Sequence, residues 1–321
     1  MTRRHPAAEA IREAFDHQPA LSHFSTYQQQ DLIAEYGADR MVRMPIAENA
    51  MLGMALGMAL VGRRVLFSVN RVAFLFSAFD QLVNQVATWR YMSDGQFCVP
   101  LVIRGLTRGG EQLGAQHEHV PYGMLSQIPG LVVAVPGSPN SLGGLLRTAL
   151  RHPDPVVVLE SPRLFTPTWA ELPEPEPSTA ALPFGVAGLA RPGTDLTLIG
   201  IGNTVIESLL AARRLAEHGI QARVIDLRTT APLDRDGAAA MVLPDRPVIL
   251  VDEQPQTGSV LTEVAYHLVR TGVARAEHIE LLTGAPIPAP VSAALLDGLL
   301  PDAARIVRTA LDSLAPLTQR R

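Results

Sequence analysis

Short apolar runs bounded by turn residues dominate the first half of the chain. Strand-like runs occur at 65–69 (VLFSV), 99–103 (VPLVI), 131–135 (LVVAV) and 156–159 (VVVL). Such runs are typical of parallel strands that are buried on both faces of a sheet. Between them lie segments with helical spacing, at 47–61, 74–91, 122–127 and 142–151. This alternation predicts an α/β fold built on a parallel sheet.

A proline-rich stretch at 166–183 (TPTWAELPEPEPSTAALP) interrupts the alternation, because so many prolines do not allow a regular element. Beyond it the pattern restarts, with strand-like runs at 196–201, 222–225 and 247–251 and helical segments at 204–218, 258–270 and 303–314. We therefore predict a first domain at 1–165, a linker at 166–190 and a second α/β domain at 191–321.

Composition and charge exclude several classes of protein. The formal net charge is −4, and all 27 basic residues are arginine because the chain contains no lysine. Chemistry that needs a Schiff-base or P-loop lysine is therefore excluded, and the charge gives no reason to expect nucleic acid or a membrane as partner. The longest apolar run, 51–61, is too short to span a bilayer, and the N-terminus lacks the apolar core of a secretory signal. Together these observations predict a cytoplasmic protein.

Two candidate catalytic residues emerge from the pattern. Glu48 opens an apolar helix, where its carboxylate faces helix N–H groups; the alternative is a glutamate that only complements the helix dipole. The glycine-rich loop 104–119 (RGLTRGGEQLGAQHEH) follows a predicted strand, which is where ligands bind in parallel sheets. His117 in this loop can act as an acid, a base or a hydrogen-bond donor, or can be structural.

Two further motifs do not predict a site. His117 and His119 have no third ligand nearby, so we predict no metal site. Residues 200–203 (GIGN) lack the third glycine of a dinucleotide-binding loop, so we do not predict NAD binding. From the residues alone, the sequence indicates a two-domain α/β enzyme or enzyme subunit.

Ordered motifs extend from residue 39 to residue 314. They are PIAENAMLGMALGMAL (45–60), FDQLVNQVATWRYMSDGQ (79–96), VPLVIRG (99–105), AQHEH (115–119), IPGLVVAVPGSP (128–139), DPVVVLE (154–160), VIDLRTTAPLD (224–234), VDEQPQTG (251–258) and TGAPIPAP (283–290). In these motifs the chain resembles the beta subunits of thiamine-diphosphate-dependent 2-oxoacid dehydrogenases (pyruvate, branched-chain and acetoin types), within the transketolase-like superfamily. The resemblance implies a pyrimidine-binding parallel-sheet domain followed by a transketolase-type C-terminal α/β domain.

The resemblance also implies roles for the cofactor-binding residues. Glu48 is expected to hydrogen-bond N1′ of the aminopyrimidine ring, which favours the 4′-imino tautomer and the nucleophilic ylid at C2. This chemistry needs a carboxylic acid that is held away from bulk water. Phe74 is expected on the face of the pyrimidine, with Ile46 and Asn70 nearby.

For His117 the resemblance implies substrate binding and transfer of the acyl group to lipoamide. The chain departs from the family pattern at two places. Glu118 and His119 stand where the family commonly has Ser-Gln, and residues 21–30 (LSHFSTYQQQ) replace a longer stretch with a Gly-Glu-Asp motif and a glycine-rich loop. The second departure leaves open an unusual substrate or acceptor.

Partners and cofactors follow from the same resemblance. It implies an alpha2-beta2 heterotetramer whose alpha subunit shares the thiamine diphosphate and holds Mg²⁺, because this chain lacks the family's Gly-Asp-Gly motif with its downstream asparagine. It further implies a lipoyl or acyl carrier protein as acceptor, and a monovalent cation on backbone carbonyls near Leu101 and before Asp154. One alternative is a split transketolase-like subunit that transfers a two-carbon ketol unit; another is a non-catalytic scaffold for the alpha subunit. The AQHEH stretch disfavours the first alternative and Glu48 the second.

Overall fold

The regular elements follow the predicted alternation of strands and helices. The computed structural model describes residues 5–25, 30–108, 111–166, 172, 177, 179–296 and 298–318. The first half contains α1 (Pro6–His17), β1 (Leu21–Ser25), α2 (Gln30–Tyr36), β2 (Met41–Arg43), α3 (Glu48–Leu60), β3 (Arg64–Arg71), a 3-10 helix (Val72–Ala78), a π-helix (Gln81–Val86), α4 (Trp89–Met92), β4 (Leu101–Leu106), α5 (Tyr122–Ser126), β5 (Val132–Ala134), α6 (Pro139–Ala149), β6 (Val156–Glu160) and a 3-10 helix (Pro162–Phe165).

The second half repeats the pattern. It contains β7 (Gly188–Arg191), β8 (Leu196–Gly200), α7 (Asn203–Glu217), β9 (Ala222–Asp226), β10 (Thr229–Ala231), α8 (Arg235–Met241), β11 (Val248–Asp252), α9 (Val260–Arg270), a 3-10 helix (Ala276–His278), β12 (Ile279–Thr283), α10 (Ala293–Leu296) and α11 (Ala303–Thr318).

The strands form two mainly parallel sheets. The first has the order β10-β5-β6-β4-β3-β1-β2, and only β10 runs antiparallel to its neighbour β5. The second has the order β12-β11-β8-β9-β7, in which only β7 is antiparallel. All five residues of each of β6, β8 and β11 are buried, as expected for strands that are covered on both faces. The predicted α/β class with parallel sheets is confirmed.

Helix α3 uses one side for its own core and leaves the other exposed. Met51, Leu52 and Ala55 are fully buried, whereas Met54 is 50% exposed and the following Val61 is 79% exposed. Among the described residues, no helix is long and apolar enough to cross a membrane. The apolar side chains of α3 and the following Val61 therefore lie partly in the core of the chain and partly on its surface.

The segment 74–91, predicted to be helical, consists of a 3-10 helix, a π-helix and the short α4. The burial pattern gives the physical reason for the first part. Val72, Leu75 and Ala78 are all buried and recur every third residue, which matches the three residues per turn of a 3-10 helix. Phe74, on this 3-10 helix, is half-buried.

Helix α6 begins three residues before the predicted start at 142. The Ser138 side chain accepts a hydrogen bond from Ser141 N at 3.1 Å, and Ser141 Oγ accepts one from Ser138 N at 2.9 Å. Pro139 occupies the first helical position. This capping box, with proline after the cap, sets the helix start where apolar spacing alone does not show it.

The two halves of the chain are packed together by hydrogen bonds and close backbone approaches. Gln254 Nε2 donates to Val120 O at 2.6 Å, and Ser126 Oγ donates to Thr230 Oγ1 at 2.6 Å. Strand β10, from the second half, extends the first sheet. A Cβ on Gly137 would lie 2.7 Å from Asp226 Oδ2, so this contact needs glycine.

The domain limits 1–165, 166–190 and 191–321 stay a prediction. Most of the proline-rich stretch lies outside the described residues, and β7 begins within the predicted linker. Three described residues in its neighbourhood pack inward, since Leu172, Leu182 and Ala187 are all buried.

Candidate active site

A pocket of about 480 Å³ lies at the carboxyl ends of the strands of the first sheet. Its walls include Ser25 on β1, Ser68 and Asn70 on β3, Arg104 on β4 and Glu160 on β6. Ligands bind at this edge of open parallel sheets, and the volume suits a small molecule. The pocket is therefore the candidate active site, and the predicted cofactor-binding residue Asn70 belongs to its wall.

Two polar pairs contribute side chains to this wall, and each has one fully buried member. Arg104 donates to both carboxylate oxygens of Glu160, Nε to Oε1 at 2.7 Å and Nη2 to Oε2 at 2.6 Å. His23 Nε2 lies 2.8 Å from Ser68 Oγ. Burial, and then the charge of Arg104, lower the pKa of His23 to about 3, so this imidazole is neutral at physiological pH.

Sequence reasoning did not single out these four residues. A signal was present for Arg104 and Glu160, because each ends an apolar run on a strand that is buried on both faces. For His23 there was none, because the buried strand β1 (LSHFS) is itself rich in polar residues.

A second arginine closes the same end of the sheet. Arg71, the last residue of β3, forms an ion pair with Glu111, which also lines the pocket. Arg71 Nη1 additionally donates to Thr107 O at 3.3 Å. The side chain of Arg71 is 8% exposed and that of Glu111 is 41% exposed, so one member of the pair is buried and the other reaches solvent.

Glu48 and Ile46 lie where the chain enters α3. Glu48 is the first residue of the helix and is half-buried, and no side-chain hydrogen bond caps the helix at Ala47. Ile46 is 81% exposed. Neither residue lines the pocket. A carboxylate in the first turn of a helix interacts with the positive end of the helix dipole. The exposed Ile46 nearby offers an apolar surface to a ligand or a second protein.

Phe74 and His117, predicted from separate motifs, are in contact. Their rings meet edge-on, with centroids 5.4 Å apart and an interplanar angle of 86°. Phe76 and His119 repeat the arrangement at 5.1 Å and 78°. Burial, and then the charge of Arg108, lower the pKa of His119. The histidine loop is thus packed against the 3-10 helix that carries Phe74.

Hydrogen bonds from both halves of the chain fix the histidine loop. Glu118, 1% exposed, accepts a bond from Leu113 N at Oε1 at 3.1 Å, and its carbonyl accepts one from Arg108 Nε at 3.0 Å. The Gln254 side chain donates a hydrogen bond to the backbone carbonyl of Val120. His117 is therefore presented by a loop with a defined conformation.

An acidic cluster lies buried where α5 of the first half meets the end of β11 in the second half. Asp252 accepts hydrogen bonds from Tyr122 Oη and Ser259 Oγ. Burial raises the pKa of Asp252, and it raises the pKa of the adjacent Glu253 to about 8 although Arg108 and Arg163 lower it. In the part of the chain that the structure describes, no three His, Cys, Asp or Glu residues are grouped so as to hold a metal ion.

Comparison with protein families agrees with this architecture. Residues 10–167 match the family described as transketolase, pyrimidine binding domain, and residues 185–306 match transketolase, C-terminal domain. Among solved structures, one titled split gene transketolase, inactive beta4 tetramer, superposes with a TM-score of 0.75 over 97% of each chain, at 20% identity. That likeness is one of fold.

Sequence relatives are closer. The chain is 35% identical to the beta subunit of the acetoin:2,6-dichlorophenolindophenol oxidoreductase of Cupriavidus necator, over 87% of this chain and 81% of the relative. It is 36% identical to subunit beta-1 of the mitochondrial pyruvate dehydrogenase E1 component of Arabidopsis thaliana, over 86% and 77%. The E1 beta subunit of Bacillus subtilis pyruvate dehydrogenase is 37% identical over 74% and 72%.

Proposed function

The chain belongs to the family of transketolase-type beta subunits found in thiamine-diphosphate-dependent 2-oxoacid dehydrogenases, and from this premise we propose that it supplies the proton-handling half of such an active site. The reaction is decarboxylation of a 2-oxoacid, followed by transfer of the acyl unit to a lipoyl or carrier-protein acceptor. The contact between Phe74 and His117 carries the proposal, because it joins the expected cofactor-binding residue to the expected acyl-transfer residue.

The residues present fit the pyrimidine half of thiamine diphosphate. Glu48 offers a half-buried carboxylate at a helix start, Phe74 offers a half-buried aromatic ring, and Asn70 offers an amide in the pocket wall. Exposed Ile46 provides an apolar side chain next to Glu48. When bound, the cofactor supplies a stabilised carbanion equivalent at its thiazolium ring. In this proposal Glu48 holds the proton that N1′ of the pyrimidine requires.

His117 handles the substrate side of the reaction in this proposal. Its ring stands on the edge of Phe74, on a loop that is anchored by Glu118 and Gln254. A histidine fixed in this way can donate a hydrogen bond to an acyl oxygen and can transfer a proton during acyl release. The anchoring supports the geometry that such a transfer needs.

The remaining components come from outside the chain. We assign the diphosphate and Mg²⁺ sites to an alpha subunit, in an alpha2-beta2 assembly, which is supported by relatives that are themselves named as beta subunits. A monovalent cation near Leu101 and Asp154, and a location in the cytoplasm, belong to the same proposal.

Exchange of the C2 proton of thiamine diphosphate in the enzyme assembled with its alpha subunit tests the assignments. Glu48→Gln keeps the shape of the side chain but cannot deliver a proton, so exchange should slow by orders of magnitude while assembly is retained. His117→Ala should leave exchange nearly unchanged but should strongly reduce acyl transfer. His218→Ala, at the exposed end of α7, is the control and should affect neither measurement.

Two results would contradict the proposal. Unchanged C2-proton exchange in Glu48→Gln would remove Glu48 from cofactor activation. Equal losses of exchange and transfer in His117→Ala would give His117 a role in cofactor binding or folding in place of acyl transfer.

A further inference from the structure

Arg71 is a buried cation at the end of β3, beside the pocket. The residue is 7% exposed, and the described contacts of its guanidinium are Thr107 O and the carboxylate of Glu111. A buried charge is stable only when it is paired. Arg71 is therefore most stable with an anion next to it.

Glu111, whose carboxylate provides this charge, is the member of the pair that can leave at the lower free-energy cost. The Glu111 side chain is 41% exposed and lies outside any helix or strand, so on leaving Arg71 it regains hydration at small cost. Arg104 and Glu160 behave differently, because their side chains are 17% and 1% exposed and share two hydrogen bonds. Of these two ion pairs, only the one between Arg71 and Glu111 can open without burying an unpaired carboxylate.

We propose that Arg71 is the anchor for the anionic group of the small substrate, and that Glu111 occupies this anchor until the substrate displaces it. This inference rests on the proposed function and adds the residue that recognises the substrate. A planar guanidinium pairs with a carboxylate or a phosphate through two parallel hydrogen bonds. The shared chemistry is an oxyanion: the carboxylate of a 2-oxoacid, or the phosphate of a sugar phosphate.

Because the Glu111 carboxylate competes for Arg71, it lowers the apparent affinity of the chain for the oxyanion of the substrate. The reduction equals the fraction of time for which the anchor is available, so a pair that is closed about nine-tenths of the time weakens binding about tenfold. Removing the carboxylate of Glu111 removes the competition. Glu111→Gln should therefore bind an oxyanion more tightly than the wild type, although it has lost a charged residue of the pocket.

Calorimetric titration of the full chain with oxamate, an unreactive 2-oxoacid analogue, and separately with inorganic phosphate tests this inference. For the oxyanion that is the true ligand, we expect Glu111→Gln to bind about tenfold more tightly than the wild type. Arg71→Gln should lose binding. Because that variant removes a buried residue, Arg71→Lys is included; it keeps the charge but not the paired geometry and should bind more weakly than the wild type.

Glu263→Gln is the matched control, since Glu263 forms an ion pair with Arg235 at 2.5 Å on the surface of the other half of the chain, with both side chains about half exposed. It should bind like the wild type. Preference for oxamate identifies a carboxylate ligand, and preference for phosphate identifies a phosphate-bearing ligand, of which a sugar phosphate is one. The inference is overturned if Glu111→Gln binds neither anion more tightly than the wild type, or if Arg71→Lys binds as the wild type does. Since the titration needs neither cofactor nor alpha subunit, its failure is distinguishable from unchanged C2-proton exchange in Glu48→Gln.

Discussion

Glu253 should make the chain less stable as the pH rises. The side chain is 2% exposed, and Glu253 Oε2 has no described hydrogen-bond partner. Burial raises its pKa from 4.5 to about 8, and Asp252 adds to the effect while Arg108 and Arg163 oppose it. Between these two pH values the folded chain keeps a proton that the unfolded chain releases. The free energy of unfolding therefore decreases with pH in this interval.

The size of the effect follows from proton linkage. Each pH unit between the two pKa values contributes about 1.4 kcal/mol. From pH 4.5 to pH 8, the contribution from Glu253 sums to roughly 5 kcal/mol, which is a large part of the stability of an ordinary domain. Glu253→Gln replaces the acid with an amide of similar shape that is neutral at every pH. The free energy of unfolding of this variant therefore does not show this decrease with pH.

Urea unfolding followed by far-UV circular dichroism at pH 5, 6, 7 and 8 measures the effect as a difference between proteins. Near pH 5, Glu253→Gln and the wild type should have similar free energies of unfolding. Toward pH 8 the variant should become more stable by several kcal/mol. Glu217→Gln, exposed at the end of α7, is the control and should follow the wild type. If the difference in unfolding free energy between variant and wild type stays constant from pH 5 to pH 8, the reasoning is refuted, because Glu253 would then ionise at the same pH in the folded and unfolded states.

Two further predictions concern other buried contacts. His23→Gln should show the opposite pH dependence when the same unfolding assay is extended toward pH 3. It should gain stability over the wild type as the pH falls from 6.5 toward 3, because only the unfolded wild type binds a proton there; no gain would contradict a buried neutral histidine. Gly137→Ala should cost about 1–3 kcal/mol through overpacking, since the added methyl group would lie 2.7 Å from both Asp226 Oδ2 and Val205 Cγ2. Thermal unfolding measures this loss, and Gly57→Ala, with open space around its Cβ, should not lower the unfolding midpoint.

The strands that the sequence predicted are those that contain a continuous run of mainly apolar residues. Strand β6 and its neighbour β4 were recognised because each begins with consecutive valine, leucine or isoleucine residues. Strand β1 was missed, although all five of its residues are buried. Its serines and His23 satisfy their polar atoms through other elements, as with Ser22 Oγ, which accepts from Arg63 Nη2 at 3.1 Å. A hydropathy pattern cannot detect burial that depends on partners about 40 residues away.

The candidate site divides in a similar way. Motif resemblance predicted Glu48, Phe74 and His117 one by one, but their mutual positions depend on how a 3-10 helix and a loop meet, which a linear pattern does not contain. The ion pair of Arg71 with Glu111 spans 40 residues and was not predicted, although Arg71 directly follows Asn70. Charged residues at the ends of buried strands are the signal that would have found it.

The two carboxylates of the proposed site stand in complementary situations. In the proposed mechanism, Glu111 leaves the buried cation Arg71 when the substrate arrives, and the half-buried Glu48 holds its proton in an environment with less water. The exposed side chain of Ile46, two residues before Glu48, is where a partner in the proposed assembly would exclude water. Burying an isoleucine side chain such as that of Ile46 is favourable by about 1.5–3 kcal/mol. A partner that covers Ile46 is therefore stabilised by the same contact that shields Glu48 from water, so in the proposed assembly the alpha subunit completes the environment of this carboxylate.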